Sequence, residues 1–142
     1  MRKFNEQKIV LASHNKGKLR EIKALLEPFG IVCVSAAELN LAEPEETEAT
    51  FAGNARIKAH FAARASGLPA LSDDSGISVD ALAGEPGVYT ADWAETENGR
   101  DFNLAMTKVW KKLEAAKAPF PRYAKFNCTL CLAWPDGHDE VF

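Results

Sequence analysis

Residues 9–26 read IVLASHNKGKLREIKALL, and their hydrophobic period changes once. The apolar run at residues 9–12 is typical of a short buried strand, and it stops at the polar segment 13–18. From Leu19 to Phe29 the apolar residues fall three or four positions apart, which predicts an amphipathic helix. The chain is therefore expected to open with a strand, a polar loop and a helix.

Strands and helices continue to alternate along the chain. Further strands are predicted at residues 31–34, 70–71, 77–82 and 126–134, and further helices at residues 51–66 and 102–117. Residues 38–50 are polar and acidic without an apolar period, and they predict a surface loop. An acidic turn at residues 72–76 is expected between two strands, and a hairpin turn at residues 135–138. This order predicts an α/β fold with a mixed sheet and flanking helices.

The 142 residues are expected to form one domain, and 46% of them are apolar, enough for a core. Because the predicted hairpin loses its second arm at Phe142, we expect the chain to be incomplete at its C-terminal end. The net charge of −3 offers no general attraction to nucleic acid or to an acidic membrane. No apolar run approaches the length of a membrane span, and no signal-peptide pattern is found, which favours the cytoplasm.

The three cysteines lie in strand-like apolar contexts. They are Cys33, Cys128 and Cys131, and the pair at 128 and 131 has no second Cys or His pair to complete a zinc site. We interpret all three as buried free thiols.

The polar loop after the first strand is the first candidate site. It consists of Ser13, His14, Asn15, Lys16, Gly17 and Lys18. Backbone N–H groups, the positive end of a helix dipole and two lysines converge there, and together they suit a polyphosphate. The spacing differs from that of a Walker A loop, so a capped loop with solvated lysines is an equally good local interpretation.

The helix at 51–66 places polar residues on its predicted packed face. This stripe consists of Phe51, Asn54, Ala55, Lys58, Ala62 and Ala65. A lysine is rarely buried without a partner, so Lys58 is predicted to point at an anion. The alternative is that it extends past the small alanines to water.

The adjacent carboxylates Asp73 and Asp74 form the third candidate site. Hard oxygen ligands in an open turn suit Mg²⁺, which commonly takes one or two carboxylates and completes its shell with water and phosphates. The alternative is a solvated acidic turn. The acidic residues at 43–48 are interpreted as a solvated loop from which one residue could supply a further metal ligand. Taken together, the three sites offer the cations, metal and carboxylate that phosphoanhydride hydrolysis requires.

Three segments together resemble the signature blocks of the inosine triphosphate pyrophosphatase family. They are SHNKGKLREI at 13–22, ET at 46–47 with TFAGNARIKA at 50–59, and SDDSGISVDALAGEPGVY at 72–89. The resemblance runs from about Lys8 to the end of the chain. It implies an elongated two-lobed fold with a central nucleotide cleft, and a homodimer. It also implies Mg²⁺-dependent hydrolysis of non-standard purine nucleoside triphosphates to the monophosphate and pyrophosphate, which cleanses the nucleotide pool.

The resemblance also assigns residues. Contacts to the triphosphate and substrate fall on Ser13, Asn15, Lys18, Lys58 and Ser75. The metal ligands would be Glu46 and Asp74. Asp74 would also be the catalytic carboxylate, with Asp73 beside it.

Two departures from the family pattern leave other interpretations open. Asp92 stands where the family usually has an arginine, and the family's later blocks for base recognition have no counterpart before Phe142. The alternative function is therefore a non-catalytic fragment that binds nucleotides or polyphosphate. A serine nucleophile at Ser75 is disfavoured, because no histidine is placed in the sequence as its partner base.

Overall fold

The computed structural model describes every residue from Met1 to Phe142. The three α-helices are α1 (Lys16–Leu26), α2 (Phe51–Ser66) and α3 (Phe102–Ala115). The strands are β1 (Lys8–Leu11), β2 (Val32–Ser35), β3 (Ala70–Val79), β4 (Glu95–Thr96), β5 (Gly99–Arg100), β6 (Ala124–Ala133) and β7 (Asp139–Val141). The chain forms two compact units, one of Met1–Asp74 with Thr129–Phe142 and one of Ser75–Cys128.

Five of the strands form one mixed sheet in the order β2-β1-β3-β6-β7. β1 pairs in parallel with both β2 and β3, whereas β6 and β7 form an antiparallel hairpin. Such a mixture is expected where strand–helix–strand crossovers precede a hairpin. The predicted α/β class with a mixed sheet and flanking helices is confirmed.

The core of the first unit is built largely from small side chains. Four alanines of α2 pack there with Val10 of β1, Ala70 of β3 and Cys131 of β6. Alanine faces allow a helix to approach a sheet closely, and this closeness limits which side chains fit at the contact.

The predicted packed stripe of α2 is partly wrong. The helix bounds agree with the prediction, and the Thr50 side chain caps the start of the helix by accepting a hydrogen bond from the Gly53 N–H. However, Ala59 and Ala63 are fully buried, whereas Ala65 is exposed. The helix carries alanine on several sides, so an apolar pattern could not identify the side that meets the sheet.

The expected acidic turn at residues 72–76 does not exist. These residues continue β3 without interruption from Ala70 to Val79. β3 is a central strand with β1 on one side and β6 on the other, and it pairs with β1 through Ala70 and Leu71. Asp73 and Asp74 are buried, and each has a lysine partner that compensates its charge.

The first helix begins earlier than predicted. α1 starts at Lys16, because the Asn15 side chain accepts hydrogen bonds from the backbone N–H groups of Gly17 and Lys18. Residues 16–18 therefore form the first helical turn instead of a loop. Apolar periodicity misses a polar first turn, which depends on cap chemistry.

The strand predicted at residues 126–134 is present as β6, and the side chains that it buries are small ones. Cys131 and Ala133 are fully buried, whereas Phe126 is 90% exposed. The small residues face the alanine-rich core, which has no room for the larger ones. The expectation of three buried thiols is accordingly wrong for two of them: Cys128 is exposed and Cys33 is half-buried, although all three are free.

The hairpin of β6 and β7 is tied to α2 by a polar cluster. Asp139 of β7 shares a hydrogen bond of 2.8 Å with His60 Nε2, and Arg56 Nε lies 3.2 Å from the same carboxylate. The hydrogen bond with His60 holds the pKa of Asp139 below its usual value, and Arg56 adds to this effect against the opposing influence of burial.

The second unit has a smaller core of its own. Val79, Leu113 of α3 and Ala118 are buried together, with Ile77, Leu82 and Val109 packed around them. β4 and β5 form a separate two-stranded hairpin. None of the helices of the chain has an apolar stretch of the length that a bilayer requires.

Candidate active site

Strand register brings the polar segment after β1 next to the acidic part of β3. Leu11 lies opposite Leu71 in the parallel ladder, and the Ala12 N–H donates to the Leu71 carbonyl at 2.8 Å. Beyond this pair, β1 gives way to residues 13–15 while β3 continues into Ser72 and Asp73. Segments distant in sequence therefore meet where β1 ends.

The start of α1 is organised by local hydrogen bonds. Asn15 Oδ1 accepts from the Gly17 N–H at 3.0 Å and from the Lys18 N–H at 3.2 Å. Ser13 Oγ accepts from the Asn15 N–H at 3.2 Å. The positive end of an eleven-residue helix is thus presented together with lysine side chains. This combination favours an anion.

Lys18 forms an ion pair with Asp73. The Asp73 side chain is only 6% exposed, so its charge is compensated by this ammonium group in a largely desolvated position. The pair links the first turn of α1 to β3.

Lys58 forms ion pairs with two carboxylates. Its ammonium group pairs with Glu46 and lies 3.6 Å from Asp74 Oδ1. The Lys58 side chain is 11% exposed, so it does not extend past the alanines to water. Glu46 of the acidic loop and Asp74 of β3 are consequently close to each other, held by one cation.

A further set of contacts ties this site to α2. Asn54 Oδ1 accepts a hydrogen bond from the Glu48 N–H at 2.9 Å, and the buried Ser72 hydroxyl donates to the Ala55 carbonyl at 2.5 Å. The sequence interpretation assigned no role to Asn54, Gly53 or Ser72. The available signal was a polar residue, Asn54, on a face otherwise predicted to be packed.

The carboxylates at Lys58 fit a divalent cation. Glu46 and Asp74 provide two hard oxygen ligands, which is the number that Mg²⁺ commonly takes from protein alongside substrate phosphates and water. The structure contains no group of three or more His, Cys, Asp or Glu side chains arranged to hold a metal ion. A cation bound here would therefore complete its shell from water and substrate.

The remaining predicted residues lie in different surroundings. His14 and Lys58 line one small crevice with Glu43 and Phe61. Lys16 instead lines an open groove between α1 and β2, together with Arg20, Lys23 and Cys33.

The positions after Asp74 belong to the second unit. Ser75 follows Asp74 on β3 and is half-buried. Asp92 is exposed and begins a short 3-10 helix at Asp92–Ala94.

In chemical terms, the first unit offers two lysines that can exchange carboxylate for phosphate. It also offers carboxylates that such an exchange would release for metal binding or proton transfer. This set of groups suits the hydrolysis of a phosphoanhydride.

Comparison with known proteins agrees with this chemistry. The dITP/XTP pyrophosphatase of Ruegeria pomeroyi is 70% identical over 141 residues, which cover 99% of this chain and 69% of that protein. The dITP/XTP pyrophosphatase of Agrobacterium fabrum is 61% identical over 145 residues, covering 100% of this chain and 68% of that protein.

Solved structures give the same result. A HAM1 protein from Coxiella burnetii superposes with a TM-score of 0.87 at 37% identity, covering 96% of this chain and 68% of that one. The Ham1 protein of Staphylococcus aureus gives a TM-score of 0.81 at 32% identity, covering 95% of this chain and 67% of that one. The sequence model of the Ham1 family matches residues 9–142. Because that match extends over most of its length, this chain belongs to the Ham1 family.

Proposed function

We propose that this chain is a nucleoside triphosphate pyrophosphatase acting on inosine, deoxyinosine and xanthosine triphosphates (ITP, dITP and XTP). It would release the monophosphate and pyrophosphate and so remove these nucleotides from the cellular pool. Relatives at 70% and 61% identity that are named dITP/XTP pyrophosphatases support this substrate class. The observation that carries the proposal is the convergence of Glu46 and Asp74 on Lys58.

The triphosphate would bind at the lysines. Lys18 and Lys58 each hold a carboxylate in this structure, and a phosphate group would offer the same charge with more acceptor oxygens. The backbone N–H groups at the start of α1 would add anion contacts, with Ser13 and Asn15 beside them. His14, Lys16, Gly17 and Ser75 complete the proposed substrate contacts.

Glu46 and Asp74 would hold Mg²⁺. When bound, this ion neutralises charge on the phosphate oxygens and on the leaving pyrophosphate. Moving Lys58 toward phosphate would release both carboxylates from their ion pairs and make them available as ligands.

Asp74 would act as the general base. It would accept a proton from a water molecule as the water oxygen bonds to the α-phosphorus, while the bond from that phosphorus to the bridging oxygen breaks. Pyrophosphate leaves with the bonding electron pair. Asp73, which is held by Lys18, would support the position of this strand and of the lysine. The family resemblance further suggests that the enzyme is a homodimer.

Pyrophosphate release tests the proposal. The chain is incubated with ITP, dITP, XTP, ATP and GTP, each with Mg²⁺ and each with a chelator. We expect release from the first three nucleotides at a much higher kcat/KM than from ATP or GTP, and loss of this release on chelation. Binding of ITP without release of pyrophosphate would instead identify a nucleotide-binding fragment.

A further inference from the structure

We propose that Asn54 and Gly53 form a clamp on the acidic loop, here called the α2 clamp, which places Glu46 at Lys58 and Asp74. The inference rests on the proposed function, because it names positioning residues for the same site. The contacts that define the clamp are made to Glu48 and not to the carboxylate of Glu46. They act through the main chain of the loop at Glu48.

The first part of the clamp is the side chain of Asn54. It is 2% exposed, and its Oδ1 accepts the Glu48 N–H at 2.9 Å. Burying an amide side chain costs free energy unless it is hydrogen-bonded, so losing this contact would destabilise the folded chain. Residues 42–48 have no regular secondary structure, and no strand ladder fixes them. The Asn54 contact joins the main chain of this loop to α2.

The second part of the clamp is the absence of a side chain at Gly53. A Cβ atom at this position would lie 2.6 Å from Glu48 Cβ and 2.7 Å from Glu48 Cγ. Glu48 Cβ is bonded directly to the main chain, so it could not move away without shifting the loop backbone. Glycine is unfavourable in a helix, and its presence in the first turn of α2 is explained by this close approach.

Asn54 of the clamp lies on the same face of α2 as Lys58. Lys58 follows Asn54 by four residues, which places it one helical turn further along the same face. The loop backbone is thus held at Glu48 by Asn54, and the Glu46 carboxylate is held one turn away by Lys58. With the main chain fixed two residues away, Glu46 loses little further conformational freedom when it binds a cation.

Two substitutions disrupt the two parts of the clamp separately. Asn54→Leu keeps most of the volume but removes the acceptor, and Gly53→Ala keeps the acceptor but displaces Glu48. For each, hydrogen exchange of the Glu48 amide and the Mg²⁺ concentration for half-maximal ITP hydrolysis are measured. We expect exchange to be about ten-fold faster. We also expect the Mg²⁺ requirement to rise by about 10–100-fold, as is usual for groups that orient metal ligands.

The control is Ser66→Ala. It removes a side-chain hydrogen bond to the Ala62 carbonyl, of 2.7 Å, at the far end of the same helix. Both readouts should stay at wild-type values in this variant. Gly53→Ala serves as a second check, because alanine has a higher helix propensity than glycine.

Glu46→Gln distinguishes positioning from general damage. If the clamp acts through Glu46, adding Asn54→Leu to Glu46→Gln should raise the Mg²⁺ requirement little further, whereas a purely structural effect would add in full.

Unchanged Glu48 exchange in both clamp variants, or full additivity, would overturn the inference while leaving the proposed activity intact. A wild-type chain without pyrophosphatase activity would defeat the proposed function alone, since the exchange measurement needs no substrate. Should Asn54→Leu fail to fold, Gly53→Ala decides the question.

Discussion

At the scale of single residues, the adjacent carboxylates of β3 meet different cations. Successive side chains of a strand point to opposite faces of the sheet. Lys18 of α1 accordingly pairs with Asp73, and Lys58 of α2 lies beside Asp74. Because Lys58 also holds Glu46, Asp74 is the aspartate that lies near a second carboxylate. Proton transfer and metal contact are therefore proposed for Asp74, and support of the phosphate contacts for Asp73.

The first prediction separates these two aspartates. Asp74→Asn keeps the shape of the side chain but cannot accept a proton from water, and it removes a charge that would hold Mg²⁺. We expect kcat for ITP to fall by about 10²–10⁴-fold. Asp73→Asn should mainly raise KM by loosening Lys18, with kcat within about ten-fold of wild type. Steady-state kinetics at saturating Mg²⁺ checks both, and the reverse pattern would place the catalytic role on Asp73.

The residues of this site could largely be predicted from the sequence, but which carboxylate pairs with which lysine could not. Lysines and carboxylates that suit phosphate and metal are visible as residue types, and their order along the chain resembles a known family. Asn54 and Lys58 on one predicted packed face of the 51–66 helix also indicated that this face meets polar or charged groups. The partner of each lysine depends on strand register and on the side of β3 that each aspartate faces, which become known only when β1 and β3 are paired.

At the scale of secondary-structure elements, prediction succeeded where capping residues mark the ends of a helix. It failed where residues typical of turns lie inside a strand. α2 was predicted with its observed bounds, because Thr50 caps its start and Gly67 ends it in the left-handed conformation. β3 was predicted as two short strands, because paired acids and a glycine are typical of turns. Charge compensation by lysines removes that preference. Local sequence cannot supply this information, since both lysines are distant in the chain.

The second prediction tests which alanines of α2 meet the sheet. Ala63→Leu adds volume at a fully buried position, and overpacking there should lower the free energy of unfolding by about 1–3 kcal/mol. Ala65→Leu makes the same change in the same helix at an exposed position, and it should alter the free energy of unfolding by less than about 0.5 kcal/mol. Urea unfolding measures both values. Equal losses would mean that Ala65 is also packed, as the apolar pattern had indicated.

At the scale of the whole molecule, the first unit is held by contacts between segments far apart in sequence. Its main core takes side chains from β1, α2, β3 and β6, so opening any one of these elements exposes the others. Cys131 lies in this core with no exposed surface. Burial raises the pKa of the Cys131 thiol to about 11, and the Asp139 carboxylate adds to this effect. The stability of the whole unit is therefore linked to the protonation of one side chain.

The last prediction concerns alkaline pH. The unfolded chain loses the Cys131 proton near the ordinary pKa of 9.0, whereas the folded chain keeps it up to about pH 11. Between these values the folded state binds more protons, so the free energy of unfolding must fall as pH rises. A gap of about two pKa units corresponds to about 2–3 kcal/mol of stability, fully present below pH 9 and lost by pH 11.

Urea unfolding from pH 8 to 11 should show this additional loss in the wild type but not in Cys131→Val, which cannot ionise. Cys128→Ala, which removes an exposed thiol, should follow the wild type. Parallel curves for the wild type and Cys131→Val would mean that the thiol is not desolvated, and that the alanine-rich core admits water at this position.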